Sequence, residues 1–190
     1  MHLARLAVVA RITGVAPPDP ASGEARLREP QGAFVTLQLD GDLHGCIGMV
    51  DPVRPLAETV AHCAAAAATE DPRFPPLLKN QVEQLSIEIT ALQPLFEVHD
   101  PAEIVLGRHG LVVARGDHRG VLLPQVAVEH GFDVEAFVRE TVRKAGLPPD
   151  AISRGGAALL AFEAETFSEG TPGATGSGPG SPLRSRGATG

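Results

Sequence analysis

The sequence predicts an α+β domain made of two hairpin-helix-helix-strand repeats with a mainly antiparallel sheet. Two observations lead there. Alternating apolar runs come in pairs around Gly/Asp turns, near residues 33–50 and again near 111–123. Each pair is followed by helical periodicity and then one more alternating run. Helices grouped after each hairpin, rather than inserted between successive strands, argue against a parallel α/β sheet. The helices differ in length between the halves, so the duplication is read from the order of elements and not from sequence identity.

The elements follow in order. Leu3, Leu6, Ala7 and Ala10 recur at helical spacing, which predicts a first helix over residues 2–12 ended by Gly14. Pro17, Pro18, Pro20 and Pro30 mark an extended connection. Residues 33–39 alternate, Asp40-Gly41-Asp42 supplies the turn, and 43–50 returns as the partner strand. Asp51 and Pro52 then read as the cap and first position of a helix whose inner stripe is Leu56, Val60, Cys63 and Ala67. The small side chains of Ala64 to Ala68 permit close approach by a neighbouring element. Asp71-Pro72 stops that helix, because the residue before proline is pushed out of the helical region. A turn at Arg73 to Leu77 leads to a short helix up to Gln84, and 86–92 alternates as a half-buried strand.

After a loop over 93–101 the pattern restarts, with strands at 111–115 and 120–123 around Gly116-Asp117-His118. Pro124 opens a short helix that Gly131 closes. Asp133 caps a longer helix with Val134, Val138, Thr141, Val142 and Ala145 inward, and Lys144, Gly146 and Pro148 end it. Residues 157–167 read as one last strand. The domain is expected over 1–167, with repeats at about 32–93 and 103–167. Residues 168–190 are almost all small, polar or Gly/Pro, which is the composition of a disordered tail.

Composition narrows the function classes. A formal net charge of -7 without a basic stretch argues against nucleic-acid binding. No apolar run approaches the roughly 18 residues of a membrane span. Cys46 and Cys63 lack CxxC spacing and follow no secretory signal, which points to a cytoplasmic protein with reduced thiols. The histidines are scattered singly and no Gly-rich phosphate loop opens a helix, so neither a metal site nor a cofactor is expected.

The candidate site is Leu43-His44-Gly45-Cys46-Ile47-Gly48, a thiol between two glycines in a β-like run. Glycine inside a strand marks a bulge or a close backbone approach. The plain alternative is a small buried hydrophobe, the usual fate of a free cysteine. A nucleophilic Cys46 needs a cation, a helix N-terminus or a metal beside it. In a regular strand His44 shares its face, and Arg73 and Lys144 are further cations. A half-exposed strand histidine, and a turn in which Asp71 and Arg73 hold Phe74 in the core, are the structural alternatives.

Several segments resemble successive motifs of the AMME chromosomal region (AMMECR) family. They are Gly32-Ala33-Phe34-Val35-Thr36-Leu37, the Cys46 hexapeptide, Glu70-Asp71-Pro72-Arg73-Phe74, the Gly120 to Ala127 segment and Lys144-Ala145-Gly146-Leu147. This chain carries His44 where the family usually has Arg, and Phe132 where it usually has Trp. The resemblance implies β-β-β-α-α-like repeats around a barrel-like sheet. It also implies protein partners, a Memo-type protein and a radical SAM enzyme, and no established activity. Two functions follow as expectations. One is an accessory or catalytic component of that system, with Cys46 and His44 as catalytic candidates. The other is a binding module for a small ligand or protein, in which Cys46 only lines a cleft. Gly45, Ile47, Gly48, Asp71, Arg73, Pro124, Gln125 and Lys144 are the candidate binding residues, and the turns near Asp51 and Pro124 are expected to face one cleft.

Overall fold

A computed structural model describes residues 1–20 and 25–169. The expected tail lies outside the described residues except for Ser168, which is in the last strand, and Glu169, which pairs with Arg5. Helix α1 (His2–Thr13) ends at Gly14, whose φ of 77° only glycine adopts cheaply. Strands β1 (Ala33–Leu39) and β2 (Asp42–Met49) form the first hairpin, joined through Asp40 and Gly41 with φ of 52° and 92°. Helix α2 (Leu56–Thr69) follows, then a 3-10 turn over Lys79–Gln84 and strand β3 (Leu85–Leu92). The second half holds β4 (Phe96–Glu97), β5 (Gly110–Arg115), β6 (His118–Leu122), α3 (Pro124–Glu129), α4 (Val134–Lys144), β7 (Ala158–Phe162) and β8 (Ala164–Ser168).

Two separate antiparallel four-stranded sheets result, ordered β2-β1-β3-β8 and β4-β7-β5-β6. There is no closed barrel, so the barrel-like expectation is corrected. The duplication is more complete than the sequence suggests. β4 leaves the first half to pair with β7, and β8 leaves the second half to pair with β3. Each half lends its final strand to the other sheet. The expected single strand over 157–167 is therefore two strands, broken at Glu163 where the chain changes sheets, and the expected loop over 93–101 contains β4.

Three apolar clusters hold the layers. Helices α1 and α2 cover the first sheet through Val8, Val35, Leu37, Val60, Cys63, Ala67 and Ile87. Helix α4 covers the second through Leu111, Val113, Phe137 and Val142. Val112 and Phe162 form a third cluster with Phe34, Val121 and Leu160, joining the faces turned away from the helices. Fully burying each such aliphatic or aromatic side chain is worth about 1.5–3 kcal/mol. Phe137, with no exposed surface, belongs to the α4 inner face and was not expected there. β3 is buried on both faces rather than half-buried, with Ile87, Ile89 and Ala91 in the first cluster and Leu92 in the third.

Helix α2 begins later than expected. Pro55 stands at φ −47° and ψ 142°, and proline also forces the preceding Arg54 toward extended backbone, so Leu56 is the first helical residue. Asp51 is not its cap; its carboxylate receives an ion pair from Arg119 of β6, tying the two halves together.

Candidate functional site

The first hairpin carries one irregularity, and it decides where Cys46 points. Next to the turn Gln38 faces Leu43, but Leu37 faces Gly45 and Thr36 faces Cys46. His44 is thus the extra residue of a β-bulge. In a regular register Val35, a core residue, would stand opposite Cys46. A one-residue slip flips every side chain beyond it. Gly45 therefore turns toward α2, and Cys46 turns to the opposite face, beside Thr36.

Both glycines of the motif are explained by packing. A Cβ on Gly45 would lie 2.2 Å from the Ala67 carbonyl oxygen, within the five-alanine run. A Cβ on Gly48 would lie 2.1 Å from the Phe34 ring. In both positions the room a side chain would take is filled by the chain's own atoms. β6 repeats the device: a Cβ on Gly120 would meet Thr141 O of α4 and the N of Ala145, the residue that caps it, both at 2.4 Å. His44-Gly45-Cys46-Ile47 and Arg119-Gly120-Val121-Leu122 are thus equivalent segments. The glycine at the same place in both hairpins was the available signal.

Cys46 is half-buried and its thiol receives a hydrogen bond from the Thr36 hydroxyl at 3.4 Å. Its backbone is clamped. The Cys46 N–H donates to Asp71 Oδ2 at 2.9 Å, and the Arg73 guanidinium donates to the Cys46 carbonyl at 3.5 Å. Arg73 also grips Asp71 through Nε at 3.0 Å and Nη2 at 2.7 Å, while its own N–H donates to Asp71 Oδ1 at 3.1 Å. Asp71, only 2% exposed in its side chain, is held well below the usual carboxylate range, chiefly by the Arg73 hydrogen bonds and further by the two backbone donors. Arg73 is correspondingly raised by Asp71. Phe74 lies under the Arg73 guanidinium at 5.3 Å.

Lys144 is the last residue of α4, in the other half. Partial burial lowers its pKa from the ordinary lysine value; Cys46 acts in the opposite sense, and the Arg73 cation acts with burial. The structure thus joins Cys46, Asp71 and Arg73 by hydrogen bonds, and Lys144 interacts with Cys46 and Arg73 through its charge. His44 does not join as a thiol partner: its ring lies 6.0 Å from that of Phe74, and its buried Nε2 has no hydrogen-bond partner. Ile47 is half-buried against the α2 core, and Pro124 and Gln125 line a different depression with Arg108 and Glu163. Asp51 is not among the residues lining that depression. Thr36, unanticipated, was concealed by the bulge that sets its register with Cys46. Cys63 is inert by comparison, fully buried, with its thiol pushed up to about 11 by that burial.

No three His, Cys, Asp or Glu side chains gather as metal donors among the described residues. No helix there is long and apolar enough to cross a membrane.

The architecture defines a class: a duplicated two-sheet domain with an oriented thiol where the halves meet. The chain belongs to the AMMECR1 family, whose model matches residues 1–167. It is 41% identical to Protein MK0488 of Methanopyrus kandleri over 181 residues, covering 90% of this chain and 87% of that one. It is 43% identical to Protein MJ0810 of Methanocaldococcus jannaschii over 152 residues, covering 76% of each. The crystal structure of the uncharacterized protein PH0010 from Pyrococcus horikoshii superposes with a TM-score of 0.81, at 37% identity and 90% coverage of both chains.

Proposed function

We propose that this AMMECR1 domain is the thiol-bearing component of an assembly with a Memo-type protein and a radical SAM enzyme, and that Cys46 accepts a group there. The partners rest on the family resemblance. The carrying observation for the site is the double clamp on the Cys46 backbone by Asp71 and Arg73, with the thiol turned out of the core by the bulge. A thiol used only for packing needs neither device. Arg73 and Lys144, from opposite halves of the molecule, place positive charge near this thiol. In the step proposed, the sulfur lone pair forms a bond to an electrophilic centre, the leaving group departs with its electron pair, and the thiol proton passes to solvent.

The test is turnover of the three-protein system reconstituted with wild-type or Cys46→Ser chain, with intact mass read on the chain. Loss of turnover and of any mass adduct in a variant that unfolds like wild type supports the proposal. Unchanged turnover with Cys46→Ser overturns it.

A further inference from the structure

Between α3 and α4 runs a groove of about 280 Å³ lined by Leu122, Val126, His130, Phe132, Glu140, Arg143 and Lys144. Its volume lies just under the roughly 300–1,000 Å³ of sites that hold drug-sized ligands, which limits the occupant to a small molecule. One wall is flat and aromatic: the His130 and Phe132 rings stack with centroids 5.2 Å apart and planes at 15°. Lys144, at the C-terminus of α4, adds a cation to the lining. The nearby carboxylates are already engaged, Asp71 by Arg73, Glu140 by Arg143 and Asp51 by Arg119. Lys144 has no carboxylate partner among the described residues, although it lies in a chain of net charge -7 with only one other lysine, Lys79. It lines the groove, and its charge interacts with those of Cys46 and Arg73.

We infer that the site takes a small anionic molecule with a planar portion. Its carboxylate or phosphate sits on Lys144 near Arg73, its flat part lies along Phe132 and His130, and its electrophilic atom faces the Cys46 sulfur. This rests on the reading of Cys46 as a group acceptor. It adds the substrate class, which the two unpaired features of the groove, a free ammonium and an open aromatic stack, define together.

The test compares alkylation of Cys46 by iodoacetate and by iodoacetamide, with peptide mass spectrometry separating Cys46 from Cys63. In each reaction the S–C bond forms as the C–I bond breaks, iodide leaves with its electron pair and the thiol proton goes to buffer. At low salt the iodoacetate-to-iodoacetamide rate ratio at Cys46 exceeds that of the unfolded chain by on the order of fivefold, the effect of one unit charge a few ångströms away near water. It falls toward the unfolded ratio in 0.5 M salt, on the order of the ionic strength at which exposed charges are screened within a few ångströms. Lys144→Gln removes most of the excess and Lys79→Gln leaves it intact. Benzoate protects Cys46 against iodoacetamide better than acetate does, and Phe132→Ala abolishes that difference. A native ratio equal to the unfolded one overturns the anionic class while leaving the acceptor reading standing. Silence of Cys46 toward both reagents overturns both.

Discussion

Replacing Gly45 by alanine is the sharpest perturbation of the fold that positions Cys46. The added Cβ falls 2.2 Å from the Ala67 carbonyl oxygen and 3.1 Å from its carbon. Both are backbone atoms of a helix already packed between α1 and the first sheet, so no side chain can swing aside. Relief requires α2 or β2 to move by more than an ångström, on both sides of a core that includes Val35, Val60 and Cys63. Overpacking of this kind costs typically 1–3 kcal/mol, and a backbone obstacle puts Gly45→Ala at the upper end, about 3 kcal/mol. In a chain of this size that is a fall of roughly 6–12 °C in Tm, with a matching drop in the urea midpoint. Gly48→Ala, whose obstacle is the Phe34 ring, loses less, because a ring can turn. Unfolding curves for Gly45→Ala within about 0.5 kcal/mol of wild type refute the packing explanation of the motif.

Three further outcomes follow from the same geometry. Gly120→Ala, blocked by Thr141 O and Ala145 N, matches Gly45→Ala in urea melts, and a neutral result breaks the equivalence of the two hairpins. Asp71→Asn removes a charged acceptor from the Cys46 and Arg73 donors and lowers stability at pH 7 by about 1.5–3 kcal/mol. Because the native pKa of Asp71 lies below the unfolded value of ~3.9, its contribution is fully present above that pH and fades as pH falls further, so the gap to wild type closes only in strong acid. A gap that is constant down to acid unfolding contradicts it. Phe137→Ala, emptying a site with no exposed surface, costs about 3–5 kcal/mol by denaturant melt, against about zero for a surface position.

Much of this architecture is legible because hairpin turns, proline stops and glycine caps act locally. Asp40-Gly41 and Gly146 speak through backbone preferences that no distant contact overrides. The misses are non-local. The exchange of β4 and β8 between halves depends on pairings with strands more than fifty residues away in sequence, and periodicity carries no information about partners. Phe137 differs from these: it stands three residues after Val134 and four before Thr141, on the stripe that helical spacing defines, so its inward place is legible locally. The Cys46 corner was half legible. Cys46, Asp71, Arg73 and Lys144 are recognisable one by one as candidates. Their meeting depends on the His44 bulge, which one sequence does not announce. Without it, Cys46 would stand opposite Val35 and the plain core reading would have held.

The outward orientation of Cys46 is therefore the claim on which the functional account stands, and native-state alkylation tests it most directly. The rate at Cys46 relative to the same chain in urea is followed from pH 6 to 9 on the order of minutes to hours, with Cys63 as the internal buried reference. The account predicts that Cys46 is modified in the folded chain while Cys63, fully buried and with its pKa pushed up to about 11, stays silent until unfolding. Protection of Cys46 equal to that of Cys63 would contradict it.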